Sequence, residues 1–272
     1  MLKFFISFII CTSAISQNIK DQANYLAIYE LEHQPDSTNV DSKKKESMRL
    51  YIGDHISMFA SSGTVIKDSL LANTDRSNKS IAALTKIQSE APDTDFTYWI
   101  FKNSKSGDIK LYDKIVKNTY HYEEVEPLMQ WNIEPDTKEI AGYDVQKATT
   151  TFRGRDYTAW FTPEIPISNG PYKFSGLPGL IIDIVDVNNE YSFKLKSFKK
   201  LNPSRFIEVP SEKSIELSRE KLTELWDNYH RDPFSSLEQS GITFGFEAGV
   251  KEELMKNHRE ERKLINNPLE LE

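Results

Sequence analysis

Alternation of apolar and polar positions, the two-residue period of a strand with one buried face, is the commonest pattern along this chain. In NYLAIYELEH, Tyr25, Ala27 and Tyr29 alternate with Leu26, Ile28 and Glu30. MRLYIGDHISMF reads as a hairpin turning at Gly53-Asp54. Between them, the polar stretch at about 34–46 predicts a mobile loop. The alternation stops from Thr64 to about Pro92, where SIAALTKIQSEA predicts a short helix with Ser80 as cap and Pro92 as stop. Strand patterns return in FTYWIFKN, IKLYDKI, NTYHYEEV and LMQWNI, then in one long run, EIAGYDVQKATTTF, and in YTAWF.

GPYKFSGLPGLIIDI, from Gly170 to Ile184, is the most constrained stretch. Leu177-Pro178-Gly179-Leu180 places proline and glycine where a type II turn needs them. LIIDIVDV, Asn188-Asn189 and EYSFKLKS then form a hairpin in which Val187 faces Glu190, Ile184 faces Phe193, Asp183 faces Lys194 and Ile182 faces Leu195. This register gathers Leu180, Ile182, Ile184, Phe193 and Leu195 on one face and sets an opposite-charge pair on the other. Asp183 is therefore expected to pair with Lys194 at the surface. The corner itself reads either as a rigid bend that aims a core strand or as an apolar tip, Leu177 to Leu180, for a ligand or partner.

The period changes near the end. SIELSREKLTELWDNYHRD and EELMKNHREERKLI predict helices, the second at the surface, within a helical part at about 212–265; NNPLELE follows as an extended tail. The pattern defines an α+β fold: a large, curved antiparallel sheet, of half-barrel type, with a few helices at one face or end.

Composition adds compartment. MLKFFISFIICTSAISQN has one lysine, an apolar core from Phe4 to Ile10, and Ala14 and Ser16 suited to a secretory peptidase. Cleavage is expected after Ser16, leaving one domain over 17–272. The apolar core is too short to span a bilayer, and Ile10 before an early Cys11 argues against lipidation. Cys11, the sole cysteine, would leave with the leader, so no disulfide, thiolate or cysteine metal site is expected. Losing Lys3 as well leaves 33 basic against 41 acidic residues, −8, which argues against a nucleic-acid partner. No later stretch predicts a transmembrane anchor.

Chemistry is sparse. His33, His55, His121, His230 and His258 show no metal-binding spacing. His121 and Glu123 share a strand face opposite Glu124 and Glu126, an incomplete ligand set or simply a polar face. His230 with Asp232 reads as a cap or turn. Ser175 has no nucleophile-elbow context, and phosphate and dinucleotide loops are absent. Neither a catalytic residue nor a cofactor is expected. Arg153-Gly154-Arg155-Asp156 is the best polar cluster: two arginines that either clamp a carboxylate or phosphate, or sit solvated on a turn beside Asp156. Trp160, with Trp99, Trp131, Tyr157 and Phe161, lines either a cavity or the core.

Several linked motifs resemble the GLPGLI family of exported Bacteroidetes proteins. Gly176-Leu-Pro-Gly-Leu-Ile181 is that family's signature, and IAGYDVQKA, FRGRDYTAWF, GPYKF and the terminal NNPLEL are similar to its other segments. The resemblance runs from about Asn24 to the end and implies export and a shared fold. It implies no activity, since none is established for the family. Many relatives have a cysteine where this chain has Val145, so a role for that cysteine does not carry over.

The chain therefore reads as an exported envelope protein, periplasmic or outer-membrane-associated, that binds a lipid or other apolar ligand or an outer-membrane protein partner. Its candidate contacts are Leu177, Pro178, Gly179, Leu180, Arg153, Arg155 and Trp160. Two other readings stand beside it: a hydrolase-like enzyme with a site assembled from distant residues, and a structural accessory of an uptake or secretion assembly.

Overall fold

The computed structural model describes residues 20–74, 81–210, 214–247 and 249–272. The leader expected over 1–16 and the helix cap expected at Ser80 lie outside them. Strands β1 (Lys20–His33), β2 (Lys44–Ile52) and β3 (Ile56–Ser61) come first, followed by helices α1 (Ser62–Asn73) and α2 (Ile81–Glu90). The sheet resumes with β4 (Trp99–Asn103), β5 (Asp108–Ile115), β6 (Asn118–Val125), β7 (Asn132–Ile140), β8 (Tyr143–Phe152) and β9 (Arg155–Thr162). After a long connection come β10 (Leu180–Asp186), β11 (Tyr191–Glu208) and the short β12 (Ser214–Glu216). Helices α3 (Arg219–Arg231), α4 (Pro233–Gln239) and α5 (Val250–Lys263) close the fold.

Among the described residues, twelve strands form one open sheet in the order β12-β6-β5-β4-β3-β2-β1-β11-β10-β9-β8-β7. β12 runs parallel to β6, and the other pairings are antiparallel. The β10–β11 hairpin has the register its sequence dictates, with Asp183 opposite Lys194 and Ile184 opposite Phe193.

The α+β expectation holds, with local corrections. The run EIAGYDVQKATTTF is two strands, because Ala141 and Gly142 both take positive φ, 53° and 81°, and turn the chain between β7 and β8. Helix α1 falls where the sequence pattern assigned no element; Ser61 starts it by accepting from the Thr64 amide at 3.0 Å. The helix expected from Ser214 begins only after Ser218, which caps Lys221, because Ser214–Glu216 join the sheet edge instead. The segment at 34–46 holds a 3-10 turn, Val40–Ser42, and β2 starts at Lys44. Asp36 within it is buried and accepts from Thr38 and Asn266.

The sheet curves enough to bring its two ends together. Arg153, at the β8–β9 turn, pairs with Glu124 of β6, although those strands lie at opposite ends of the order. Alternation then gives the sheet two apolar faces. The concave face packs Tyr29, Leu31, Leu50, Phe59, Ile100 and Phe193 from its strands. The convex face packs Leu26, Tyr51, Ala60, Phe101 and Tyr112 with Val65 of α1. Phe174 enters the concave side from the β9–β10 connection, with ring centroids 5.6 Å from Phe152, 4.9 Å from Tyr157 and 6.4 Å from Phe193. That packing fills this part of the concave side with side chains.

Candidate functional site

The β9–β10 connection, residues 163–179, carries Lys173 and Ser175 and forms one wall of a cleft. Its corner is tighter than a type II turn: the Gly179 amide donates to Leu177 O at 2.8 Å, and Gly179 has φ 157° rather than about +80°. Glycine is required there by close approach, since a Cβ would stand 2.0 Å from the Thr162 carbonyl oxygen. Leu177 and Leu180 point into the core and only Pro178 of the corner is exposed. The corner therefore aims β10; its leucines do not form an exposed apolar tip.

Beside this connection lies a cleft of about 440 Å³, lined in part by Tyr25, Asp54, Ser57, Glu126, Asn169 and Ser175. That volume falls within the range of small-molecule sites. Lys102 of β4 stands in its wall, 4% exposed. Its ammonium donates to Gly170 O at 2.7 Å and to Phe174 O at 3.2 Å. Among the described residues no carboxylate lies within ion-pair distance of it, although Glu126 lines the same cleft. Burial pushes its pKa down to about 7, against the pull of the Glu126 charge, which acts the other way. The Ser175 hydroxyl donates to the Glu126 carboxylate, and Asn169 Nδ2 donates to Ser57 Oγ at 2.9 Å.

One turn of chain away, Lys173 is treated oppositely. It is fully buried, and its Nζ lies 2.6 Å from both Glu124 and Glu270 while donating to the Tyr122 hydroxyl at 2.8 Å. Glu270 also accepts from Tyr172 Oη at 2.6 Å and Arg219 Nε at 2.8 Å. Burial alone would raise the Glu270 pKa, but the Lys173 charge and these donors hold it below the usual carboxylate range.

Arg155 extends this cluster along the tail. It is 4% exposed and bonds Asp186 at 3.0 Å and Glu190 at 2.5 Å. It also donates to Asn267 Oδ1 at 2.5 Å, Pro268 O at 2.8 Å and Leu269 O at 3.1 Å. The Tyr191 hydroxyl bonds Asn267 O at 2.6 Å. Of the two readings of the arginine turn, the clamp holds in kind and the solvated turn does not. Arg155 is not solvated, Asp156 accepts from Thr151 instead, and the carboxylates clamped are the chain's own.

The seven expected contact residues do not converge. Arg153 and Arg155 grip the tail, and Leu177 and Leu180 are core. Trp160 pairs with Asp183 across β9–β10, with Lys138 Nζ 3.8 Å from its ring centroid. Asp183 faces Lys194 in the ladder without a close ion pair, and burial raises its pKa despite that charge. His121 and Glu123 share the convex face, Nε2 to Oε1 3.8 Å, with Tyr112 stacked on the imidazole. Glu124 and Glu126 lie on the other side, as alternation requires. His230 stacks on Trp226, and Asp232 caps α4 through the Ser235 amide.

Sequence reasoning missed Lys102, Lys173, Glu126 and Glu270. A trace of Lys102 was present: in WIFKN it takes the inward position after Ile100. Both faces of β4 are apolar, however, which hid the parity.

The family model described as "Protein of unknown function (Porph_ging)" matches residues 152–183, the segment holding both arginines, Lys173 and the corner. No curated protein matches the chain. Solved structures of PNGF-II in P21 and C2 space groups are similar at 13% identity, with TM-scores of 0.52 and 0.51. They cover 75% and 74% of this chain but 33% and 32% of their own, so the chain spans about a third of their length. At that identity the likeness is one of fold. Among the described residues, no helix is long and apolar enough to cross a membrane.

Proposed function

We propose that this chain is an exported envelope protein of the GLPGLI type, and that it binds a small polar ligand bearing an anionic group in the cleft beside Lys102. Lys102 carries the proposal. A buried ammonium with two carbonyl acceptors and no paired carboxylate is costly, and such groups cluster at functional sites. A ligand carboxylate or phosphate would supply the missing countercharge. The hydroxyls and amides of Ser57, Asn169 and Ser175 suit a polar ligand better than a lipid. This changes the ligand class read from sequence, because Phe174 and its neighbours fill the concave face. The hydrolase alternative gains no hydrogen bond from a serine hydroxyl to a histidine ring among the described residues: Ser104 Oγ donates to the His55 backbone carbonyl at 3.2 Å, and the Ser175 hydroxyl goes to Glu126.

Native mass spectrometry of the protein, purified gently from its own cell envelope, tests this with Lys102→Met alongside. The expected result is a small acidic mass on the wild type that is missing from the variant. A lipid-sized mass on both would restore the apolar-ligand reading. Bare masses on both would move the function to a protein partner.

A further inference from the structure

A second polar centre lies at the opposite end of the β1–β2 pair from the cleft. His33 closes β1, Glu46 sits near the start of β2, and Asp95 belongs to the segment between α2 and β4. His33 is 3% exposed, and among the described residues its Nε2 has no hydrogen-bond partner. That nitrogen stands 3.7 Å from Glu46 Oε1 and 3.6 Å from Asp95 Oδ2. We propose that His33, Glu46 and Asp95 bind one divalent transition-metal ion of the zinc class.

The spacing motivates the assignment. Both separations exceed a hydrogen bond, which for nitrogen and oxygen closes at about 2.7–3.2 Å. They approach the edge of a tetrahedron whose metal–ligand bonds are about 2.0–2.2 Å, an edge of roughly 3.3–3.6 Å. An imidazole held evenly off two carboxylates leaves room for an ion between them. The donor set, one nitrogen and two carboxylate oxygens, suits zinc or cobalt better than magnesium or calcium, which prefer oxygen alone.

The surroundings hold the donors in place. Thr94 Oγ1 donates to Glu46 Oε2 at 2.6 Å, and the Asp95 amide donates to Glu46 Oε1 at 2.8 Å. Such outer hydrogen bonds orient metal ligands. Phe96 sets its ring edge against the imidazole at 4.9 Å, and Tyr191 stacks at 6.1 Å, so the walls are apolar. Among the described residues, Lys44 is the cation paired with a proposed ligand: its Nζ lies 2.8 Å from Asp95 Oδ2. Its side chain is about half exposed and can swing into solvent when an ion takes the oxygen. Water would complete the coordination. Bound metal would tie the end of β1, the start of β2 and the 91–98 segment together.

The ligands are too far apart in sequence to form a motif, so the histidine spacing read from the chain could not reveal them. A second group, His121, Glu123 and Glu216, is more exposed and serves as the control. The test uses the whole chain, stripped with a chelator and titrated with Co²⁺ and then Zn²⁺. The expected result is one Co²⁺ per chain with the visible absorption of a low-coordinate site, displaced by Zn²⁺ with a rise in Tm. Asp95→Asn, at a half-exposed position that leaves the fold intact, should weaken binding at least about tenfold. Lys44→Ala should strengthen it, and Glu123→Gln should leave it unchanged. Absence of Co²⁺ absorption in the wild type, wild-type affinity in Asp95→Asn, or loss of binding in Glu123→Gln would each overturn the assignment.

Discussion

Lys102 and Lys173 are both almost wholly removed from water, yet their surroundings differ in kind. Lys173 meets two carboxylates at 2.6 Å and a phenol, and around it Arg153, Arg155 and Arg219 hold the tail from Asn267 to Glu270. Lys102 meets two peptide carbonyls beside a cleft. The first arrangement joins sheet, connection and tail, and needs nothing further. The second is incomplete in charge. Burial alone therefore does not distinguish the two lysines; the carboxylates in contact with each do.

The largest way to break this contrast is Lys173→Met. It leaves Glu124 and Glu270 buried with only the arginines to answer them, and should cost about 3–5 kcal/mol in urea unfolding. A loss within 1 kcal/mol, roughly the worth of an exposed pair, would make the cluster ornamental. Gly179→Ala, in the corner between the connection that carries Lys173 and β10, should cost about 3 kcal/mol, because its Cβ meets the fixed Thr162 carbonyl. An unchanged Tm would refute that close approach.

Glu270→Gln should cost about 2 kcal/mol and speed hydrogen exchange of the Leu271 amide, which donates to Arg153 O. Its pH signature has a definite sign. The folded pKa lies below the unfolded one, so the stabilisation is complete above the usual glutamate range and is lost as pH falls through the lowered value. The variant should show less acid sensitivity, read from Tm against pH.

Lys102→Met is the smallest change and has the opposite direction: a gain of about 1 kcal/mol at neutral pH, net of two carbonyls left without a donor. In the unfolded chain a lysine titrates near 10.4; here burial brings it to about 7. Between those values the unfolded chain holds the proton that the fold releases, so wild-type stability rises with pH across that window. The variant should lack this slope, and its advantage should shrink toward alkaline pH. A parallel pH profile for both proteins would show that Lys102 is solvated and would remove the basis for a ligand countercharge.

Much of the fold was legible. The β10–β11 register followed from an apolar face and a tight Asn-Asn turn, which are local requirements, and it holds residue for residue at Asp183 and Ile184. Boundaries were harder. Ser61 as a cap was hidden in a polar run, and Ala141-Gly142 as a turn was hidden inside what looked like one strand. The site was nearly illegible. Arg153 and Arg155 stood out as charges around a glycine, but nothing nearby in sequence said which acids they would meet.

What this sequence determined by itself is the local part: period, turns, caps and the hairpin register, each decided by residues within a few positions of one another. Tertiary structure alone decided the rest. Glu270 and Lys173 lie 97 residues apart, and Arg155 and Asn267 lie 112 apart. They meet only because the sheet curves until β6 and β8 approach, and that curvature sums small twists over many strands. Whether a buried lysine then finds a carboxylate or only a carbonyl depends on where that curvature leaves it.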